Sequence, residues 1–335
     1  MARDPSLRGG PPLVTPASAN PVLDQTTQAF LDAVAAAGAP PFETLSPVEA
    51  RAAFAALQAG PVTGPDAVIE DRVLPVGPTG AIAVRIVRPV GAAPPSPVIL
   101  YFHGGGWVAG GPHTHDRLIR ELAVGADTAL VFVDYSLAPE VSYPVQNEQA
   151  YAAMLWIVEN AAGLGLDAHR LAVAGDGAGG NMAAALTLMA KSRRGPEIAF
   201  QLLFYPVVAD ISDGGSYGAF EDGPWLTLPV AHFFRDAQFP DPESRRQITA
   251  FPLIGRICDL ENLPPALVIT PENDILRDEG EAYGRKLMQA GVAVVSTRYN
   301  GAIHDFVVLD GLAETPSARA AVAQAIAALR SALHP

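Results

Sequence analysis

The later strand-like segments of this chain are mostly continuous apolar runs, and helical patterns separate them. The runs are "PVILYFH" at 97 to 103, "ALVFVDY" at 129 to 135, "RLAVAG" at 170 to 175, "AFQLLFYP" at 199 to 206, "PALVITP" at 265 to 271 and "VVSTRYN" at 294 to 300. An antiparallel sheet with one wet face alternates apolar and polar residues, whereas strands buried on both faces read as unbroken apolar runs. Helix patterns at 147 to 162, 178 to 191, 279 to 290 and 316 to 332 complete the alternation, which specifies a mostly parallel sheet covered on both faces. The remaining two strand candidates, 68 to 76 and 82 to 90, are joined by "GPTG" and read as a hairpin.

Two helices precede the sheet. Residues 22 to 38 carry apolar positions at helical spacing and stop at Gly38. The segment 46 to 57 opens with Ser46 as N-cap, Pro47 and Glu49, the pattern of a capping box. Residues 207 to 251 are too long for an ordinary connection and hold aromatics in a helix-like stretch, so they read as a lid inserted over the strand ends. The stretch before residue 20 reads as a loose arm.

Composition narrows the function. A 49% hydrophobic and 17% charged chain folds, and a net charge of -13 argues against nucleic acid and anionic membranes as partners. One cysteine, Cys258, permits no intramolecular disulfide. The opening residues lack the apolar segment of a signal peptide, and no run approaches the ~18 apolar residues of a membrane span, so the expected location is the cytoplasm.

The chemistry concentrates at strand ends. His103-Gly104-Gly105-Gly106-Trp107 follows the first long run; glycines there let backbone N–H groups approach a ligand, as an oxyanion hole requires. Gly175-Asp176-Gly177-Ala178-Gly179-Gly180 joins a strand to a helix. It fits the G-x-G-x-x-G of a dinucleotide turn, and it also fits a nucleophile elbow with glycine at the apex. The dinucleotide reading puts the turn too late in the chain, finds no acidic residue at the end of the next strand, since Glu197 precedes that strand and Asp210 lies past it, and leaves the other motifs idle. Asp274 and His304 each follow a strand, in the order nucleophile, acid, histidine. Asp176, one position before the apex, is expected to point away from the pocket. His113, Thr114, His115 and Asp116 read as a capped helix start and not as a metal site. Trp107, Trp225, Phe233 and Phe234 are candidates for lining an acyl pocket.

Together "HGGGW", "DYSLAPE", "GDGAGGN", "DILRDEG" and "HDF" resemble the hormone-sensitive lipase family of α/β-hydrolases, the bacterial HGGG carboxylesterases. The resemblance implies an α/β-hydrolase fold in which residues 1–60 form an arm and cap helices. Residues 61–335 then form the catalytic domain, with a cap insertion at about 207–251. It implies a small ester as substrate, of short to medium acyl chain, no cofactor, no metal, and a monomer or homodimer. It places the oxyanion hole at Gly105, Gly106 and Ala178, and the triad at position 177, Asp274 and His304. Gly177 stands where the family carries its catalytic serine. Ser136, Ile275 and Asp305 also depart from the family's usual residues, Asp305 from a glycine. Three expectations follow from Gly177: an esterase disabled by a deliberate serine-to-glycine exchange that holds uncleaved substrate, a natural binding protein or receptor on the same scaffold, or hydrolysis by water that His304 activates directly.

Overall fold

A computed structural model describes residues 21–61, 64–212 and 214–334; the expected loose arm lies outside them. Helices α1 (Gln25–Ala36) and α2 (Pro47–Leu57) come first, followed by the hairpin β1 (Ala67–Leu74) and β2 (Ile82–Pro89). Next are β3 (Ser96–Phe102), α3 (Asp116–Ala126), β4 (Ala129–Asp134), α4 (Val145–Leu164), β5 (Leu166–Asp176), α5 (Ala178–Arg193) and β6 (Phe200–Phe204). Short helices α6 (Gly215–Ala219), α7 (Leu228–Gln238) and α8 (Ile257–Leu260) precede β7 (Ala266–Asn273), α9 (Arg277–Gln289), β8 (Val294–Ile303) and α10 (Pro316–Leu333).

All eight strands join one sheet in the order β1-β2-β4-β3-β5-β6-β7-β8. Only β2 runs against its neighbours β1 and β4, and every pair from β4 to β8 is parallel. Along β3, Val98, Leu100 and Phe102 enter one core while Ile99 and Tyr101 enter the other, the two-residue period of a strand buried on both faces. The first core receives Met154 and Ile157 of α4, Met182 and Leu186 of α5, and Tyr283 of α9. The second receives Leu118 and Leu122 of α3 and Val322 and Leu329 of α10. This is an α/β-hydrolase fold: a mostly parallel eight-stranded sheet with helices on both faces.

Local signals explain the helix ends. The Ser46 hydroxyl accepts from the Glu49 N–H, and the Glu49 carboxylate accepts from the Ser46 N–H, so the capping box forms. At α3 the expectation of a side-chain cap fails. His115 occupies the N-cap without capping, because its imidazole turns inward, with Nδ1 2.8 Å from Thr114 Oγ1 and Nε2 3.4 Å from Asp176 Oδ2. Among the described residues no helix is long and apolar enough to cross a membrane.

The sheet aims its chemistry at one edge. β3, β5, β7 and β8 end immediately before His103, Gly177, Asp274 and His304. In parallel sheets ligands bind beyond the carboxyl ends of the strands, where the connecting loops converge.

Candidate active site

Register brings the acid and the histidine together. Asn273 of β7 pairs with Ile303 of β8, so the next residue on each strand lies beside the other. His304 Nδ1 is 2.8 Å from Asp274 Oδ2, and both side chains are buried. Asp274 Oδ1 accepts from the Leu276 N–H at 3.0 Å, which fixes the carboxylate plane. This pair sets the tautomer and orientation of the imidazole and leaves Nε2 facing the elbow.

The elbow apex is Gly177, at φ 50 and ψ -113, a backbone state that L side chains adopt only with strain. A Cβ on Gly177 would lie 3.5 Å from His304 Nε2 and 4.0 Å from Gly104 Cα, ordinary contacts in both cases. There is room for a side chain, and it would face Nε2. Glycine is required elsewhere in the turn: a Cβ on Gly175 would strike the Gly179 carbonyl, and one on Gly179 the Phe102 carbonyl. The turn is held by close backbone approach to β3.

Beside the apex, Gly105, Gly106 and Ala178 line one cavity with Gly177, His304, Trp107 and Trp225. Among the described residues none of the N–H groups of Gly105, Gly106 and Ala178 donates to a protein acceptor. Ala178 is the first residue of α5, where the helix dipole adds partial positive charge. The cavity holds about 490 Å³ and its walls are mainly apolar. Residues of α1 and α2, such as Val34 and Phe54, and residues of the segment after β6, such as Ile211 and Phe234, cover it together.

Asp176 does point away from the cavity, and it has work there. Its carboxylate accepts from Tyr101 Oη at 2.6 Å and from the Gly104 N–H at 3.1 Å, with His115 Nε2 at 3.4 Å. Burial raises its proton affinity, but His115 and the Tyr101 hydroxyl outweigh burial and hold it below the usual carboxylate range. One buried anion therefore ties the elbow strand to the glycine loop of β3. His103 stacks on Tyr135 with ring centroids 4.2 Å apart, and burial together with His115 pushes its pKa down to about 3. It is a neutral packing group.

His304 behaves differently. Burial alone would lower its proton affinity; Asp274 first and Asp305 second outweigh that and raise its pKa to about 9. Asp305 Oδ1 lies 3.5 Å from His304 Nε2, and Asp305 Oδ2 accepts from Trp225 Nε1 at 3.0 Å.

Of the aromatic candidates, Trp107, Trp225 and Phe234 line the cavity. Phe233 is not among the lining residues; its ring meets Phe42 edge-on, with centroids 6.3 Å apart, on the flank of α7. A Cβ on Gly106 would fall inside the Phe234 ring, so that ring lies flat against the glycine loop. Sequence reasoning passed over Phe42, Phe54 and Tyr205. Tyr205, at the end of β6, packs its ring 4.6 Å from His304, and no motif marks it.

The chain has well-matched relatives. A family model of the alpha/beta hydrolase fold matches residues 99–308. Carboxylesterase NlhH of Mycobacterium tuberculosis is 38% identical over 325 residues, which cover 96% of this chain and 100% of that protein. Ethyl acetate hydrolase of Pseudomonas putida is 36% identical over 282 residues, 82% of this chain and 87% of that one. The crystal structure of a thermostable esterase from Pseudomonas putida ECU1011 is 44% identical and matches with a TM-score of 0.90, across 94% of this chain and 99% of that one. Since the family match spans β3 to the loop beyond β8, and so takes in the glycine loop, the elbow, Asp274 and His304, the chain belongs to the α/β-hydrolase fold family.

Proposed function

We propose that the chain is a carboxylesterase of the hormone-sensitive lipase type in which glycine has been put in place of the elbow serine, so that it binds an ester and does not cleave it. One observation carries this reading: a Cβ on Gly177 stands 3.5 Å from His304 Nε2, with Asp274 bonded to the far side of the same ring. A serine hydroxyl there reaches Nε2 directly. With serine, His304 in its unprotonated form takes the hydroxyl proton at Nε2 as the oxygen attacks the ester carbonyl, and then hands it to the departing alcohol. Asp274 stabilises the imidazolium formed in between. The N–H groups of Gly105, Gly106 and Ala178 receive the carbonyl oxygen as it becomes an anion.

Gly177 has no atom to attack with, so no acyl-enzyme forms. The oxyanion donors are backbone groups and remain in place. In this reading α1, α2 and the 207–251 insertion form the cap, and a small uncharged ester of short to medium chain is held in the cytoplasm without metal or cofactor. The mainly apolar cavity supports that substrate class.

The test is Gly177→Ser with p-nitrophenyl butyrate. Turnover should rise by about 10⁶-fold, by analogy with triad-serine knockouts, and should vanish again when His304→Ala is added. A folded Gly177→Ser protein that is inert toward every short and medium acyl ester would overturn the reading.

A further inference from the structure

Asp305 is a charged group directly at the imidazole that the ester chemistry leaves without work. Its backbone sits at φ 62, in the left-handed region where glycine is free and an aspartate is mildly strained. Its side chain is buried. Its two oxygens face different parts of the molecule: Oδ2 holds the indole N–H of Trp225, and Oδ1 faces His304 Nε2. Trp225 belongs to the insertion after β6, and its ring packs on Phe30 of α1 with centroids 5.6 Å apart. Both halves of the cap thus meet at the indole that Asp305 holds.

Around the imidazole, Asp274 arrives from β7, Asp176 from β5 and Asp305 from the residue after His304 itself, while the Tyr205 ring closes the β6 side. His115, before α3, acts on the Asp305 carboxylate. Of the other charged residues that line the cavity, Arg235 and Asp210 bond to each other at 3.5 Å, and the Glu49 carboxylate accepts from the Ser46 N–H and hydroxyl at the start of α2. Asp305 is the only one of these carboxylates that meets Nε2, the nitrogen on the reacting side.

We propose that Asp305 is a positioning residue that couples the cap to the catalytic imidazole: Trp225 takes up part of its charge, and the remainder holds a proton on His304 Nε2. Burial raises the proton affinity of Asp305, against which the imidazolium and the Trp225 N–H both act. Removing the carboxylate and removing the indole N–H must therefore move His304 in opposite directions. Without Asp305 the imidazole loses a neighbouring anion and gives up its proton more easily. Without the Trp225 N–H the carboxylate keeps more charge for His304, which then holds its proton more tightly.

The experiment is an NMR titration of His304 in the chain as it stands, with its resonance identified by loss in His304→Ala. Asp305→Asn should lower the midpoint by about one to three pH units, the range for losing an opposite charge at this distance. Asp305→Gly, which also relieves the positive φ, should lower it likewise if the asparagine form folds poorly. Trp225→Phe keeps a ring against Phe30 and should raise the midpoint. An unchanged midpoint in either Asp305 variant, or a fall in Trp225→Phe, overturns the coupling; a residue that merely packs would not give opposite signs. In a Gly177→Ser background the acid limb of turnover should follow the same order. The titration needs no nucleophile, so an inert Gly177→Ser protein with the expected midpoints would defeat the esterase reading and leave this inference standing.

Discussion

Replacing Gly177 by serine should cost the fold something while it creates the chemistry. At φ 50 and ψ -113 a residue with a Cβ carries backbone strain of roughly 1 to 3 kcal/mol. The new side chain meets no clash, since its nearest neighbours are His304 Nε2 at 3.5 Å and Cε1 at 3.8 Å, so strain is the only new cost in the native state. Two terms favour serine. Removing glycine from the unfolded chain returns about 0.4 to 1 kcal/mol, and a hydroxyl bond to His304 returns about 0.5 to 1.5 kcal/mol. The sum runs from about 1.5 kcal/mol in favour of serine to about 2 kcal/mol in favour of glycine, and its centre leaves the two forms nearly equal with a slight edge to glycine. Guanidinium melts of Gly177→Ser and the parent, each with and without His304→Ala, form a double-mutant cycle that removes the hydrogen bond from the comparison. In the His304→Ala pair the serine should be destabilising by up to about 2.6 kcal/mol, strain minus entropy alone. A serine that stabilises the protein in that background would refute the claim that the elbow stores strain.

A good ester substrate of the serine form should raise the melting temperature of the glycine form, because a ligand at 100 times its dissociation constant stabilises the native state by about 2.7 kcal/mol; calorimetry that finds no binding for several such esters would count against an intact pocket. Glu279→Gln tests a buried acid that accepts from the N–H groups of Val208 and Ala209 and from Tyr217 Oη, and whose pKa burial pushes up to about 8 despite those bonds. The folded form holds this proton and the unfolded form releases it near 4.5, so the parent should lose stability as pH rises from about 4.5 to 8. The glutamine form should lack that loss, which denaturant midpoints at pH 5 and 9 would read. His304 acts in the same direction over a higher window, its stabilisation being full below about 6.5 and gone above about 9. Phe234→Ala removes the ring that lies against Gly106; in a Gly177→Ser background it should shift preference toward branched and bulkier acyl groups. Its stability cost should fall below the roughly 3 to 5 kcal/mol of a fully buried Phe→Ala, since Phe234 is half-buried. Unchanged selectivity would show that the ring is not a wall of the acyl space.

The sheet was legible because strands buried on both faces leave no choice of phase: every residue of "VILYF" is apolar whichever way it points. The positions of Asp274 and His304 were legible because each directly follows a strand of that sheet. Phase on a helix is another matter. Phe233 and Phe234 are neighbours separated by about 100° around α7, and only the docking of α7 on the glycine loop decides which of them enters the cavity. His115 failed as a cap for the same reason: its inward turn depends on a carboxylate, Asp176, that lies 61 residues away in sequence. Tyr205 and Phe42 sit in no motif, and tertiary placement alone brings them to the site.

How the elbow keeps its form with glycine at the apex follows from where its shape is stored. The turn is set by Gly175 and Gly179, where a Cβ would strike backbone, and by the Asp176 carboxylate bonded to the Gly104 N–H and Tyr101 Oη. The imidazole is set by the register of β7 against β8 and by Asp274. None of these contacts involves a side chain at 177. The apex residue is held at its own backbone atoms: the Gly177 N–H donates to the Phe204 carbonyl, and its carbonyl accepts from the Asn181 and Val207 N–H groups. A residue fixed through its backbone can lose its side chain without moving its neighbours. In the proposed reading, glycine at 177 therefore supplies no attacking atom and leaves Asp274, His304, the N–H groups of Gly105, Gly106 and Ala178, and the cavity in the places where a bound ester would meet them.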